Sequence, residues 1–149
     1  MTWYYKEKQF TEQDIPEDII GFVYQITNTE NNMKYVGKKI FFNVRKRPPL
    51  KGKKRRRIDH VKSDWEKYYG SNEILKEEVN STKNKDKYKR VILHLCKNKT
   101  EMSYIETKLL FLYDVLLKDE YYNAWITCKI TKRGLDAIRD SKIRWDEPH

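Results

Sequence analysis

The feature that most restricts the fold is the stretch GFVYQITNTENNMKYVGKK, residues 21–39. Two β-prone runs, IGFVYQIT at 20–27 and MKYVGKK at 33–39, flank the turn-forming sequence NTENN. Strand formers on either side of an asparagine-rich turn predict a hairpin, and strands joined so closely must run antiparallel. Side chains alternate across a strand, so Phe22 and Tyr24 share one face while Val23 and Gln25 share the other.

Around this hairpin the chain reads in order. Residues 1–19 are a polar, aromatic-bearing lead-in, and IFFNVRKR at 40–47 reads as a short helix turning basic. Pro48 and Pro49 interrupt regular structure, and the run that follows to Arg57 reads as an exposed loop. The segment 61–79 begins irregularly and turns helical from Ser71, and YKRVILHLC at 88–96 reads as a third strand with Val91, Leu93 and Leu95 on one face. From Thr100 a long helix is predicted, because Met102, Ile105, Leu109, Leu112 and Leu116 recur at helical spacing. Ser103 and Glu106 match a capping box, which makes Ser103 an alternative start, and Glu101 is expected at the exposed beginning of the helix. The sequence KDEYYNAW closes the helix, and a polar tail follows with one short helical candidate, RGLDAIRD at 133–140.

The order predicts an α/β (α+β) sandwich: a small, mostly antiparallel, three-stranded sheet flanked by helices, with a basic insertion after the second strand. The domain is placed at 20–126 with the insertion at about 46–62, the lead-in at 1–19 and the tail at 127–149.

Charge narrows the function. The chain carries 32 basic and 22 acidic residues, a net charge of +10. Nine of the basic residues fall within RKRPPLKGKKRRR at 45–57, with no acid among them. Such a surplus attracts polyanions, nucleic acid first and anionic membrane second. No apolar run is long enough to span a membrane, and the N-terminus lacks the apolar run of a secretory leader. Cys96 and Cys128 form no CxxC pair and read as ordinary reduced thiols. His60, His94 and His149 show no metal-ligand spacing, so no zinc site is expected, and His94 reads as a half-buried strand histidine. There is no glycine-rich phosphate loop, no nucleophilic serine motif and no paired acidic cluster of the two-metal kind.

The residues assembled so far resemble the GIY-YIG nuclease family. Phe22-Val23-Tyr24 stands where that family has its first triplet and Tyr35-Val36-Gly37 where it has its second. Lys38 and Lys39 follow the second triplet directly, Arg45 lies ten residues past Tyr35, Glu106 falls on the later helix and Asn123 follows it in YYNAW. The resemblance covers roughly residues 20–126. Two positions depart from the pattern. The first triplet lacks its glycine, and Pro49 occupies the place where many members have histidine or tyrosine, leaving His60, Tyr68 or Tyr69 as replacements. The basic insertion and DWEKYYGS are similar to phage-encoded homing-type members.

The resemblance implies a metal-dependent DNA endonuclease, and the residue types suit that chemistry. Glu106 is the expected ligand of Mg2+ (or Mn2+), a cation that needs few protein carboxylates when phosphate and water complete its shell. Arg45 is expected to fork onto the scissile phosphate, with Arg47 as the fallback. Tyr35 is the expected general base, its phenolate favoured by Lys38 and Arg45, and Lys38 also contacts the phosphate. Tyr24 orients Tyr35 or the attacking water, Asn123 ties the helix end to the site, and His60 is a further proton donor or acceptor. Lys39, Lys46, Arg47, Lys51, Lys53, Lys54, Arg55, Arg56 and Arg57 are expected to meet the DNA backbone. Further partners for specificity are a second copy of the chain, as a homodimer, or another protein. No membrane partner is expected, and the location is cytoplasmic, in the host if phage-encoded. The alternatives are a catalytically inactive DNA-binding or partner-blocking module on the same fold, and a ribosome- or RNA-associated basic protein.

Contact of about six cations of the insertion with phosphates sets a slope of roughly −5 in log affinity against log salt. Fluorescence anisotropy with a labelled duplex over a salt series measures it, and a slope near zero contradicts the assignment.

Overall fold

The computed structural model describes residues 2–139, so His149 and the end of the tail's helical candidate lie outside the described residues. The predicted hairpin is present as β3 (Gly21–Asn28) and β4 (Met33–Ile40), paired antiparallel with Tyr24 opposite Gly37 and Ile26 opposite Tyr35. The third predicted strand is also present, here β7 (Tyr88–Cys96), on the other side of β3. Strand β3, paired on both sides, is buried almost throughout, as expected of one covered on both faces.

The expected three-stranded sheet is corrected to five strands. The residues read as a lead-in supply β1 (Trp3–Tyr5) and β2 (Lys8–Phe10), giving the order β2-β1-β7-β3-β4. All pairings are antiparallel except β1 with β7. Each of the added strands has three residues, too short for alternation to register, and what fixes them is tertiary. The buried Trp3 ring meets Phe22 and Tyr24 edge-on at 5.0 and 5.4 Å, and its indole N–H donates to the Trp65 carbonyl at 2.9 Å.

The run after Pro49 is an exposed loop as far as residue 56, as expected, but it joins two strands, and its entry is no helix. Phe42–Arg47 and Arg57–Lys62 form a separate antiparallel hairpin, β5 and β6, with Arg45 opposite Asp59 and Val44 opposite His60. Its arms are mostly exposed, so ladder hydrogen bonds rather than a buried face hold it, and no hydrophobic period marks it in the sequence.

Two helices sandwich the main sheet. On one face Phe22, Tyr24, Ile26, Tyr88 and Ile92 join Phe41 and Trp65 and the inner side of α1 (Glu73–Ser81), through Leu75 and Val79. On the other face Val23, Val36 and Cys96 pack against Met102, Ile105 and Leu109 of α2 (Lys99–Leu112). The cap of α2 is Asn98, whose side chain accepts from the Glu101 N–H at 2.8 Å, and not Ser103. Leu112 and Leu116, expected on the buried stripe, are exposed because the helix stops at Leu112. A short α3 (Asp136–Arg139) lies within the tail.

In β7 the register shifts between the partners of Val23 and Tyr24: Val23 faces His94, whereas Tyr24 faces Ile92. Leu93 is the extra residue of this bulge. It packs against the α2-side cluster, whereas Leu95 packs against the α1-side cluster, so the two do not share a face as alternation predicts.

Arg90 is fully buried. Its guanidinium lies 4.7 Å from the Trp3 ring and 4.3 Å from that of Tyr69, and donates to the Glu66 and Tyr68 carbonyls at 3.0 and 2.9 Å. It therefore pins the loop that carries Tyr68 to the sheet. Arg90→Met strands two carbonyls and loses the ring contacts, a cost of about 2–4 kcal/mol. Urea unfolding should show that loss as a lower midpoint, and an unchanged midpoint would contradict the role.

Candidate active site

A cleft of about 310 Å³ opens beside edge strand β4, lined by Tyr35 and Lys38 of that strand, Ser71 and Asn72 at the start of α1, Glu106 and Leu110 of α2, and Asn123 to Thr127. Four sequence-predicted residues, Tyr35, Lys38, Glu106 and Asn123, thus converge on one cavity. Tyr24 stands behind them, its ring 6.2 Å from that of Tyr35.

Local sterics set the two tyrosines. A Cβ on Gly37 would lie 2.5 Å from the Tyr24 hydroxyl and 2.9 Å from the Tyr35 ring, so only glycine lets both rings occupy these places. Gly70 has φ +90°, and a Cβ there would come within 3.1 Å of the Tyr35 ring as well. With both glycines beside its ring, Tyr35 reaches Ser71 Oγ with its hydroxyl at 2.8 Å.

The electrostatics differ from expectation. Burial pushes the Tyr35 phenol above its usual range, Ser71 partly opposes this by hydrogen bonding, and the neighbouring Tyr68 and Glu106 raise it further. The phenolate is therefore disfavoured, a correction to the prediction that Lys38 and Arg45 would lower it. Sequence displays the cations but not the burial, which is the largest influence on this phenol. Tyr24 is raised more strongly, first by burial and then by Tyr68 and Tyr35. Lys38 instead donates to Ser103 Oγ on α2 at 2.7 Å. Glu106 is half-buried, and burial raises its carboxyl while Lys38 partly restores the charged form.

Asn123 is fully engaged with backbone. Its Oδ1 accepts from the Val36 N–H at 3.1 Å and its Nδ2 donates to the Val36 carbonyl at 2.8 Å. The preceding residues pair with β4 as well: Lys34 N–H to Glu120 O and Tyr122 N–H to Lys34 O, both 2.7 Å. Asn123 therefore ties the segment after the helix to the edge strand, close to the tie predicted.

Other predicted residues lie elsewhere. Arg45 is exposed on β5 and is not among the residues that line the cleft. Arg47 pairs with Asp59 on the same hairpin, and His60 lies on β6 with its ring 6.5 Å from Phe42. Lys46, Arg47, Lys51, Lys53, Lys54, Arg55, Arg56 and Arg57 are all exposed, which suits backbone contact. Lys39 is committed internally, 2.6 Å from Asp64 and 4.1 Å from the Tyr68 ring centroid. Glu101, expected at an exposed helix start, is buried.

Sequence reasoning missed Ser71, Asn72 and Trp125 as lining residues, and left Tyr68 as one of three options. The Gly-Ser-Asn turn after two tyrosines was a usable signal. Asn72 caps α1 by accepting from the Leu75 N–H at 3.1 Å and donates to the Tyr122 carbonyl at 2.9 Å, so it locks both walls of the cleft. Tyr68 meets Tyr24 edge-on at 5.9 Å, whereas Trp125 is 71% exposed at the rim.

With its carboxyl raised by burial, Glu106 holds its proton to a higher pH than a free glutamate. Carbon-13 NMR titration of the Glu106 carboxyl should place its midpoint above the ordinary range, and Lys38→Met should move it higher still. A midpoint at or below the ordinary value would contradict the described environment.

One family model, described as Putative endonuclease segE, GIY-YIG domain, matches residues 3–126. No curated protein and no solved structure gives a match.

Proposed function

The chain belongs to the GIY-YIG nuclease family, and from that premise we propose that it is an endonuclease hydrolysing phosphodiester bonds in DNA at the cleft beside Tyr35 and Glu106. Membership implies a nuclease with a DNA substrate, and such nucleases are generally dependent on a divalent cation. The observation that carries the reading is the convergence of Tyr35, Lys38, Glu106 and Asn123 on one cavity from three distant parts of the chain.

Glu106 is the residue that would hold the cation, Mg2+ or Mn2+. The donor set fits: one half-buried carboxylate on an open cavity of about 310 Å³ suits an ion that keeps several waters and takes phosphate oxygens. When bound, the cation supplies positive charge to the leaving oxygen.

The chain's own groups supply the rest. Tyr35 keeps its proton in the free protein, so it acts as base through a relay. Its oxygen accepts the proton of the attacking water as its own hydrogen passes to Ser71 Oγ, 2.8 Å away, and the Ser71 hydroxyl hydrogen passes in turn to the bulk water to which Ser71 is exposed. Tyr24 buttresses the Tyr35 ring and Tyr68 packs edge-on against Tyr24, so that Tyr68 takes the place of the side chain that Pro49 lacks. Lys38, braced on Ser103, neutralises the phosphate. Arg45 joins the hairpin's cations on the flanking backbone, where contacts set register but read no sequence. The role we assign is phage homing-type or competitor-genome cleavage.

Glu106→Gln should lower cleavage of supercoiled plasmid in Mg2+ by roughly a hundredfold or more, and Tyr35→Phe by roughly a hundredfold. Both should still bind duplex DNA. Binding without cleavage by the unaltered chain would favour the inactive DNA-binding alternative, and equal cutting by all three proteins would remove the assignment.

A further inference from the structure

A second cluster of ligating side chains lies apart from the cleft, where β7 ends and α2 begins. We propose that His94, Cys96 and Glu101 form a binding site for one zinc-like divalent cation, through an imidazole nitrogen, a thiolate sulfur and a carboxylate oxygen.

The fold assembles the three deliberately. Ile92 faces the α1 side with Tyr24, and simple alternation would send His94 to that side too. The bulge at Leu93 inserts one residue, so His94 pairs with Val23 and Cys96 with Gly21 on the α2 side. Re-aiming a side chain is a recurrent use of a β-bulge. Asn98 then fixes the first turn of α2: it accepts from the Glu101 N–H at 2.8 Å and donates to the Gly134 carbonyl at 2.8 Å. That turn presents Glu101 to the strand end.

Geometry and burial agree. The ligand atoms of the three residues all lie within 4.8 Å of one another, with His94 Nε2 3.6 Å from Glu101 Oε1. A tetrahedral ion with bonds of about 2.0 Å to nitrogen and oxygen and 2.3 Å to sulfur needs ligand separations of roughly 3.3–3.6 Å. Small side-chain adjustments close the difference. Glu101 is 2% exposed, and its Oε2 is buried with no hydrogen-bond partner. An under-satisfied buried carboxylate is costly, and a cation on it removes that cost. Lys97 favours the Glu101 carboxylate through its backbone N–H and its charge, but its ammonium lies 3.2 Å from Asp18 and leaves Oε2 without a partner. A nitrogen, sulfur and oxygen donor set suits zinc better than magnesium, which prefers oxygen alone.

Binding would displace the Cys96 thiol proton to solvent and leave a fourth position for water. The consequence is mechanical. Glu106 lies five residues beyond Glu101 on the same helix, about 7.5 Å along its axis, so the ion would staple the helix bearing the catalytic carboxylate to the sheet.

Cobalt(II) added to the metal-free full chain tests this without any cleavage assay. One equivalent should produce the near-ultraviolet thiolate-to-cobalt charge-transfer band, and zinc should abolish it. Cys128→Ser and Glu106→Gln should keep the band, whereas Cys96→Ala should lose it and Glu101→Gln should weaken cobalt affinity at least tenfold. A folded Cys128→Ser chain that gives no band overturns the proposal, even if Cys96→Ala fails to fold. So does a band that survives Cys96→Ala but disappears in Cys128→Ser.

Discussion

The contact on which the rest depends is the one between Gly37 and Tyr24. Across the β3–β4 ladder these residues are directly opposite, and the tyrosine ring occupies the volume a side chain at 37 would fill. With Tyr24 laid there, Tyr35 is held beside it at 6.2 Å, and its ring also lies against Gly70. The phenol then has one direction left, toward Ser71 and the cleft. The spacing of the two aromatic triplets is therefore a packing device first. Its chemical use follows from where the packing leaves the hydroxyl.

The cleft lies at the sheet's edge for a related reason. An unpaired edge strand is an open row of donors and acceptors that proteins cover or blunt. Here the segment from Glu120 to Asn123 runs along β4, and the Asn123 carboxamide ends the pairing by offering Val36 one donor and one acceptor, as a peptide unit would. Lys38 lies beyond this pairing and is exposed, and Tyr35, flanked by the paired Lys34 and Val36, turns its side chain to the cleft. Glu106 comes to the same opening from α2, which packs on the sheet through Ile105 and Leu109. The segment that covers the sheet edge thus continues as a wall of the site.

What could be read from the sequence follows from what each element buries. Strands β3, β4 and β7 carry long apolar periods, and all three were legible to within a residue or so. Strands β1 and β2 were not, since three residues cannot display a period and Trp3 finds its partners only in three dimensions. The β5–β6 hairpin buries too little to leave a pattern. The bulge at Leu93 is invisible to strict alternation, and with it the meeting of His94, Cys96 and Glu101. In the site, residue spacing picked out Tyr35, Lys38, Glu106 and Asn123, which line one cavity. Arg45 is exposed on the hairpin and does not line that cavity, and burial raises the Tyr35 phenol where a lowering was expected. Position along the chain was informative where the fold is regular, and desolvation was not readable at all.

The most direct test is a crystal structure of the chain with a short DNA duplex and Ca2+, which substitutes for the catalytic cation while slowing hydrolysis. The account requires a backbone phosphate in the cleft, with Ca2+ bridging it to the Glu106 carboxylate and a water between the phosphorus and the Tyr35 hydroxyl. A duplex held only along the basic hairpin, with Glu106 bare and the cleft free of phosphate, would contradict it.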